Sequence, residues 1–160
     1  MAQAHEVSVA RRVEASVPAL WEVVTDLDVA ADRLSQVVQL DRLTAGPYDV
    51  GTRWRETRRM MGRSETQEMT VVENDPERRT VTEAEDAGTR YRTEISLTPL
   101  DDGRATQLTI RFLAWAVADP SRLQRLALTV VGPLARTLSE RTLRTELDDI
   151  ASAAQAIDRR

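Results

Sequence analysis

The period with which apolar residues recur changes along this chain, and that change constrains the fold more than any single motif. Seven stretches alternate apolar and polar residues, as β-strands do, near residues 7–13, 37–43, 51–61, 64–73, 79–85, 90–98 and 105–115. The turn sequences MGR, NDPER, DAG and DDG separate the last five of them. Strands joined by such short turns predict antiparallel hairpins that follow one another in chain order.

Helical spacing follows the first strand. Ser16 is suited to cap a helix and Pro18 to occupy its first turn. The apolar residues that follow recur at helical intervals: Leu20, Trp21, Val23, Val24 and Leu27. A second short helix is predicted near residues 29–35.

The chain closes with a long predicted helix over residues 120–157, for which Asp119 is a suitable cap and Pro120 a suitable first residue. Residues 123–138 are apolar around much of the helix circumference, so this half is expected to contact apolar material on more than one side. Gly132-Pro133 interrupts the pattern, and proline removes an intrahelical hydrogen bond. A kink is therefore predicted there.

The composition excludes several kinds of chemistry. The chain has no cysteine, which excludes disulfides, thiolate catalysis and cysteine-ligated metals. All 22 basic residues are arginine, which excludes a lysine Schiff base. The lone histidine, His5, leaves no basis for a Ser-His-Asp triad or a multi-histidine metal site. We expect no metal and no cofactor.

Charge and hydropathy limit the partners. The formal charge of −4 gives no overall attraction to nucleic acid. No apolar run reaches the roughly 18 residues of a membrane span, and the N-terminus lacks an apolar signal region, so we expect no integral membrane association and a cytoplasmic location. The oligomeric state is expected to be a monomer or a homodimer.

A strand, two short helices, six meandering strands and a terminal helix form a distinctive order. With the segments SVPALWEVVTDLDVAADRL, VGTRWRETR and EMTVVENDPERR, this order resembles the START-like, helix-grip superfamily, also called SRPBCC or the polyketide cyclase/dehydrase and lipid-transport family. The resemblance implies an α+β fold in which a curved antiparallel seven-stranded sheet wraps around the C-terminal helix and encloses an apolar cavity. Residues 1–160 are predicted to form a single START-like domain with its core at about residues 7–156.

Side-chain alternation assigns the wall of that cavity. A two-residue turn at Asp102-Gly103 places the following pairs opposite each other on one face, which must be the inner one: Leu97 and Leu108, Ile95 and Ile110, Thr93 and Phe112, Tyr91 and Ala114. A turn at MGR similarly predicts a second set of inner pairs: Met60 and Glu65, Arg58 and Gln67, Glu56 and Met69, Trp54 and Val71. On the outer face, Arg53, Arg55 and Arg59 would meet Thr66, Glu68 and Thr70.

The predicted ligand-binding residues combine an apolar lining with a few polar groups. The lining is Trp54, Met69, Val71, Tyr91, Thr93, Ile95, Ile110, Phe112, Val130 and Leu134, and the polar groups are Glu56, Arg58 and Gln67. A charge on an inner face is costly unless it is paired or has a purpose. Glu56 and Arg58 have three open interpretations: an ion pair without a ligand, an anchor for a ligand, or a proton-transfer group. We favour a fixed, charged pair.

Three functions follow. The first is a protein that encloses a small hydrophobic or amphipathic molecule, lipid-like or polycyclic, with polar groups to orient it. The second is a polyketide aromatase or cyclase, in which Glu56, Arg58 and Tyr91 would handle protons or enolate charge. The low aromatic content of 4% departs from what is expected of dedicated aromatases. The third is an adaptor that binds a protein through the sheet or the terminal helix.

Overall fold

The computed structural model describes residues 4–60, 62–86, 88–117 and 122–160, and the side chains of these residues except those of 60 and 122–138. Within this part of the chain, seven antiparallel strands form one sheet in the order β1-β7-β6-β5-β4-β3-β2. The strands are β1 (His5–Val13), β2 (Val37–Arg42), β3 (Arg53–Met60), β4 (Arg63–Asp75), β5 (Arg79–Asp86), β6 (Thr89–Leu100) and β7 (Ala105–Ala116). The helices are α1 (Val17–Thr25), α2 (Ala30–Arg33) and α3 (Arg122–Asp158). This arrangement confirms the predicted α+β helix-grip fold.

The cap predicted for the first helix is present. The hydroxyl of Ser16 accepts a hydrogen bond from the backbone N–H of Ala19 at 3.3 Å, which satisfies one of the free donors of the first turn of α1. Ser16 also donates to Asp158 through its backbone N–H at 2.6 Å and its hydroxyl at 2.7 Å. One residue therefore joins the start of α1 to the end of α3. The second predicted helix is shorter than expected, because a 3-10 turn occupies Leu27–Val29 and α2 follows it.

The register predicted for the last hairpin is confirmed. Ile95 is opposite Ile110 and Thr93 is opposite Phe112, and the pairing of β6 with β7 continues to Leu100 and Ala105. The connection is a short 3-10 turn, wider than the two-residue turn that was predicted. Because the turn is centred at the same place, the widening leaves the register unchanged.

The register predicted for β3 and β4 is wrong by two residues. Pairing continues to Met60 and Arg63, so the connection is shorter than expected. Glu56 consequently lies opposite Gln67, Trp54 opposite Met69, and Arg58 opposite Glu65. A shift of two positions preserves the faces, because side chains alternate with a period of two. Gln67 thus stays on the inner face but neighbours Glu56 rather than Arg58.

The outer face of β4, β5 and β6 carries crossed arginine and glutamate side chains, an extension of the polar outer face that the sequence predicted for β3 and β4. Arg79 donates to Glu94 at 2.8 Å and Arg92 donates to Glu83 at 2.8 Å. Both arginines also donate to Glu73, and these hydrogen bonds lower the pKa of the Glu73 carboxyl below its usual value. The charges of this face satisfy one another at the surface, where ion pairs contribute little to stability.

The main core lies between the second half of α3 and the β1 side of the sheet. Leu143, Leu147 and Ile150 recur at helical spacing and are buried in one cluster with residues of β1, α1 and β7. The predictions for Asp119 and Pro120 fall outside the described residues. Those for the packing of residues 123–138 fall outside the described side chains, and the kink at Gly132-Pro133 stays a prediction.

Candidate ligand-binding site

Strand β3 carries a tryptophan, a glutamate and an arginine on the inner face of the sheet. Trp54, Glu56 and Arg58 alternate along the strand, so all three lie on its inner face. Trp54 and Glu56 are buried. A buried carboxylate needs a partner, and Glu56 has two. The indole Nε1 of Trp54 donates to Oε2 of Glu56 at 3.1 Å, and Nε of Arg58 donates to Oε1.

A second glutamate, Glu146 of α3, completes this group. Arg58 donates from Nη1 to Oε2 of Glu146 at 2.8 Å and from Nη2 to Oε1 at 3.1 Å, a bidentate arrangement. The side chains of Glu56, Arg58 and Glu146 are 9%, 25% and 11% exposed. We call these three residues the Arg58 cluster. It joins the sheet to the helix across the interior.

The electrostatics of the Arg58 cluster keep the guanidinium charged. Burial alone lowers the pKa of Arg58, but the charges of Glu146 and Glu56 and their hydrogen bonds raise it well above the usual value. The predicted pair between Glu56 and Arg58 forms. Because one guanidinium faces two carboxylates, the formal charge of the cluster is negative.

Sequence reasoning did not identify Glu146. It comes three residues after Leu143 and four before Ile150, so it lies at the edge of the apolar stripe that seats α3 on the sheet. A signal was available, because an arginine has five N–H donors and one carboxylate cannot accept from all of them. A buried Arg58 therefore required a further acceptor. The sequence pattern did not say which residue of the helix would supply it.

Apolar side chains pack beside the Arg58 cluster. Leu27, Trp54 and Val71 are buried together, and Tyr48 and Met69 pack against them. Tyr48 belongs to the β2–β3 connection, and its hydroxyl forms a 2.8 Å hydrogen bond with that of Thr80. Burial raises the pKa of Tyr48 to about 12, which keeps the phenol neutral. The prediction did not include this residue.

The inner side chains near the start of β6 keep part of their surface accessible. Tyr91, Thr93, Ile95 and Phe112 are half-buried, and the rings of Tyr91 and Phe112 stack with centroids 6.0 Å apart. Three other predicted lining residues differ. Val71 is 1% exposed, Ile110 0% and Trp54 5%, so all three belong to the packed core and present little surface to a ligand. The polar lining residue Gln67 and the apolar lining residue Met69 are both half-buried.

The three residues proposed for catalysis come from two different strands. Glu56 and Arg58 are in contact, but Tyr91 lies on β6, three strands away in the sheet. Since neighbouring strands are about 4.8 Å apart, the backbones are separated by roughly 14 Å. The remaining lining predictions, Val130 and Leu134, fall outside the described side chains. A cavity between the sheet and the first half of α3 therefore stays a prediction.

In the described part of the chain, two of the surface depressions lie away from these residues. The one lined by Asp32, Arg33, Asp149 and Ile157 has a volume of about 280 Å³ and lies between α2 and the end of α3. The other, of about 620 Å³, lies beside Pro18 and the β4–β5 and β6–β7 turns. Both are open to solvent, and neither includes a predicted site residue. The inner face is the better candidate for a ligand site, because the buried polar groups converge there.

Two further observations concern the part of the chain that the structure describes. No group of three histidine, aspartate or glutamate residues in it could hold a metal ion. None of its helices is long and apolar enough to cross a membrane.

Comparison with known proteins identifies one family that matches nearly the whole chain. The family model for "Polyketide cyclase / dehydrase and lipid transport" matches residues 4–155. No curated protein matches the sequence. Similar solved structures nevertheless cover nearly the entire chain, at sequence identities that show similarity of fold alone.

Three of these similar structures are a START superfamily protein, an aromatase/cyclase and a norcoclaurine synthase. A START superfamily protein from Mycobacterium smegmatis has a TM-score of 0.74 and 18% identity, covering 96% of this chain and 99% of its own. The Zhui aromatase/cyclase from a Streptomyces species has a TM-score of 0.72 and 18% identity, covering 96% and 94%. Norcoclaurine synthase from Thalictrum flavum, in complex with dopamine and hydroxybenzaldehyde, has a TM-score of 0.71 and 15% identity, covering 97% and 88%.

Proposed function

Because the chain belongs to the polyketide cyclase/dehydrase and lipid transport family, we propose that it binds a small hydrophobic or amphipathic molecule between the sheet and α3. The ligand would be lipid-like or polycyclic. The apolar inner wall would supply most of the affinity, and the Arg58 cluster would orient the polar end of the ligand.

The observation that carries this proposal is a gradient of burial along β6 and β7. Leu97 and Leu108, at one end of the hairpin, are fully packed, whereas Tyr91 and Phe112 near the other end are half-buried. All four lie on the inner face. Apolar side chains on an inner face normally reach core density, so accessible surface there favours a site that a ligand can occupy.

We expect Ala114→Trp to weaken the binding of a fluorescent hydrophobic probe by about tenfold or more, because a bulky ring on the inner face fills space that the probe would occupy. Ala114 is half-buried opposite Tyr91. Leu113→Trp is the matched control, because its side chain is on the outer face of the same strand. The measurement is a fluorescence titration of both variants, with thermal melting to verify folding. Equal affinity in the two folded variants would contradict an inner-face site.

Native mass spectrometry of gently purified protein tests the same proposal without choosing a probe. A retained small molecule supports it, and the spectrum also reports whether the protein is a monomer or a homodimer. A stoichiometric protein partner without any small molecule would instead favour the adaptor alternative.

Catalysis at the same site, as in a polyketide aromatase or cyclase, is the second candidate. The feature that favours it is the buried carboxylate of Glu56, which an acid or base would require. The feature that opposes it is the double engagement of that carboxylate by Trp54 and Arg58. Because both of its oxygens already accept hydrogen bonds from the protein, this carboxylate has less capacity to contact a substrate.

Glu56→Gln separates these two candidates. If the Arg58 cluster orients a ligand, we expect affinity to fall only a few-fold, because the amide oxygen still accepts one hydrogen bond. If Glu56 is an acid or base, turnover of the identified substrate is lost while its affinity is nearly unchanged. Glu68→Gln is the control, since Glu68 pairs with Arg53 on the outer face. If Glu56→Gln has the same affinity and turnover as Glu68→Gln, the role of Glu56 is structural.

A further inference from the structure

We propose that this site selects a ligand with a neutral or cationic hydrogen-bond donor, such as an alcohol, phenol or amine, and rejects a carboxylate, although an arginine lies in its wall. The inference rests on the proposed function and specifies the chemistry of its ligand. It follows from the donors, acceptors and charges around Arg58.

Three of the five N–H donors of Arg58 are engaged, including the two that form its fork. An arginine in an apolar site ordinarily favours a carboxylate or phosphate, because its planar fork matches two anionic oxygens. Here Nη1 and Nη2 both donate to Glu146, and Nε donates to Glu56. The protein thus supplies the bidentate carboxylate itself, so an anionic ligand that uses the same fork would have to displace a preformed partner.

The charge of the Arg58 cluster also opposes an anion. Two carboxylates accompany one guanidinium, and the side chains of Glu56 and Glu146 are mostly removed from water. Solvent and salt screen such charges weakly. A unit charge held about 7 Å from a partly buried unit charge changes affinity by a factor of ten or more. A ligand anion therefore loses affinity beside this cluster, and a ligand cation gains it.

The side chain of Gln36, which lies between β3 and α3, adds a hydrogen-bond acceptor. Gln36 donates from Nε2 to the backbone oxygen of Thr142, one helical turn before Glu146, at 3.3 Å. The backbone oxygen of Gln36 accepts from the N–H of Arg59, the neighbour of Arg58. Among the described residues, no donor reaches the buried Oε1 of Gln36. A buried acceptor without a donor is costly, which again favours a ligand that donates.

The test uses three probes with one apolar body: pyrenebutylamine, pyrenebutanol and pyrenebutyrate. For the unaltered protein at neutral pH, we expect the amine to bind at least tenfold more tightly than the carboxylate, with the alcohol between them. Glu146→Gln removes one of the two negative charges while it keeps an acceptor for Arg58. We expect this variant to bind pyrenebutyrate about tenfold more tightly than the unaltered protein does.

Asp148→Asn is the matched control. It makes the same change in total charge two residues along α3, where Asp148 is exposed and pairs with Arg11. It should leave the ratio of the three affinities unchanged. If Glu146→Gln fails to fold, Glu56→Gln replaces it in the test, because Glu56→Gln also removes one negative charge from the Arg58 cluster.

The outcomes separate the two proposals. Failure of all three probes to bind the unaltered protein would contradict the proposed function. Binding of all three with similar affinity, or tightest binding of pyrenebutyrate, would leave the proposed function intact and overturn the inference about the ligand. A gain in pyrenebutyrate affinity in Asp148→Asn equal to that in Glu146→Gln would also overturn it, because the effect would then come from total charge.

Discussion

Arg58→Met is expected to destabilise the fold by about 3–5 kcal/mol, because it leaves the carboxylates of Glu56 and Glu146 buried with no cation between them. The two carboxylates are mostly removed from water, and the Arg58 guanidinium is the partner that the described structure shows joining them. The measurement is denaturant unfolding at neutral pH, with the free energy of unfolding compared to that of the unaltered protein.

Two companion variants make this expectation specific. Arg53→Met removes an arginine from the outer face of the same strand, where the side chain is exposed, and should cost less than about 1 kcal/mol. The triple variant Glu56→Gln, Arg58→Met and Glu146→Gln removes both charges together with their partner, and should recover most of the stability. If Arg58→Met cost no more than Arg53→Met, the Arg58 cluster would not be the buried charge group described above.

The hairpins show what side-chain alternation can predict. The pairing of β6 with β7 followed from the turn at Asp102-Gly103, because apolar residues on both strands support only one register. The predicted turn between β3 and β4 is two residues too wide, since the sequence Met60-Met61-Gly62-Arg63 does not distinguish the two lengths. The inner and outer faces were nevertheless correct, because a shift of two keeps every side chain on its face.

The same strand explains why the Arg58 cluster was only half predicted. The contact between Glu56 and Arg58 is local to one strand, and a period of two is enough to infer it. The contact between Arg58 and Glu146 depends on the rotation of α3 about its own axis and on the position of α3 along the sheet. Helical periodicity identifies the apolar face of α3, but it gives neither the position of the helix along the sheet nor the strand that the helix contacts.

Tyr48 was missed for a different reason. It lies in the AGPYDVG segment, which has neither helical nor strand periodicity. Its burial against Trp54 is set by how the β2–β3 connection folds back over the sheet. A pattern of polar and apolar residues carries no information on such a contact, although a lone aromatic in a turn-rich segment is a reason to look for one.

Ile150→Ala is expected to lower the free energy of unfolding by about 2–5 kcal/mol, because it opens a cavity where α3 meets the sheet. Ile150 is buried in the cluster that joins α3 to β1, α1 and β7. Arg144→Ala is the control on the exposed side of the same helix and should change stability by less than about 0.5 kcal/mol. Denaturant unfolding of both variants provides the comparison. A loss below about 1 kcal/mol for Ile150→Ala would mean that this stripe does not anchor the helix. The apolar stripe could not then be what positions Glu146, four residues earlier, against Arg58.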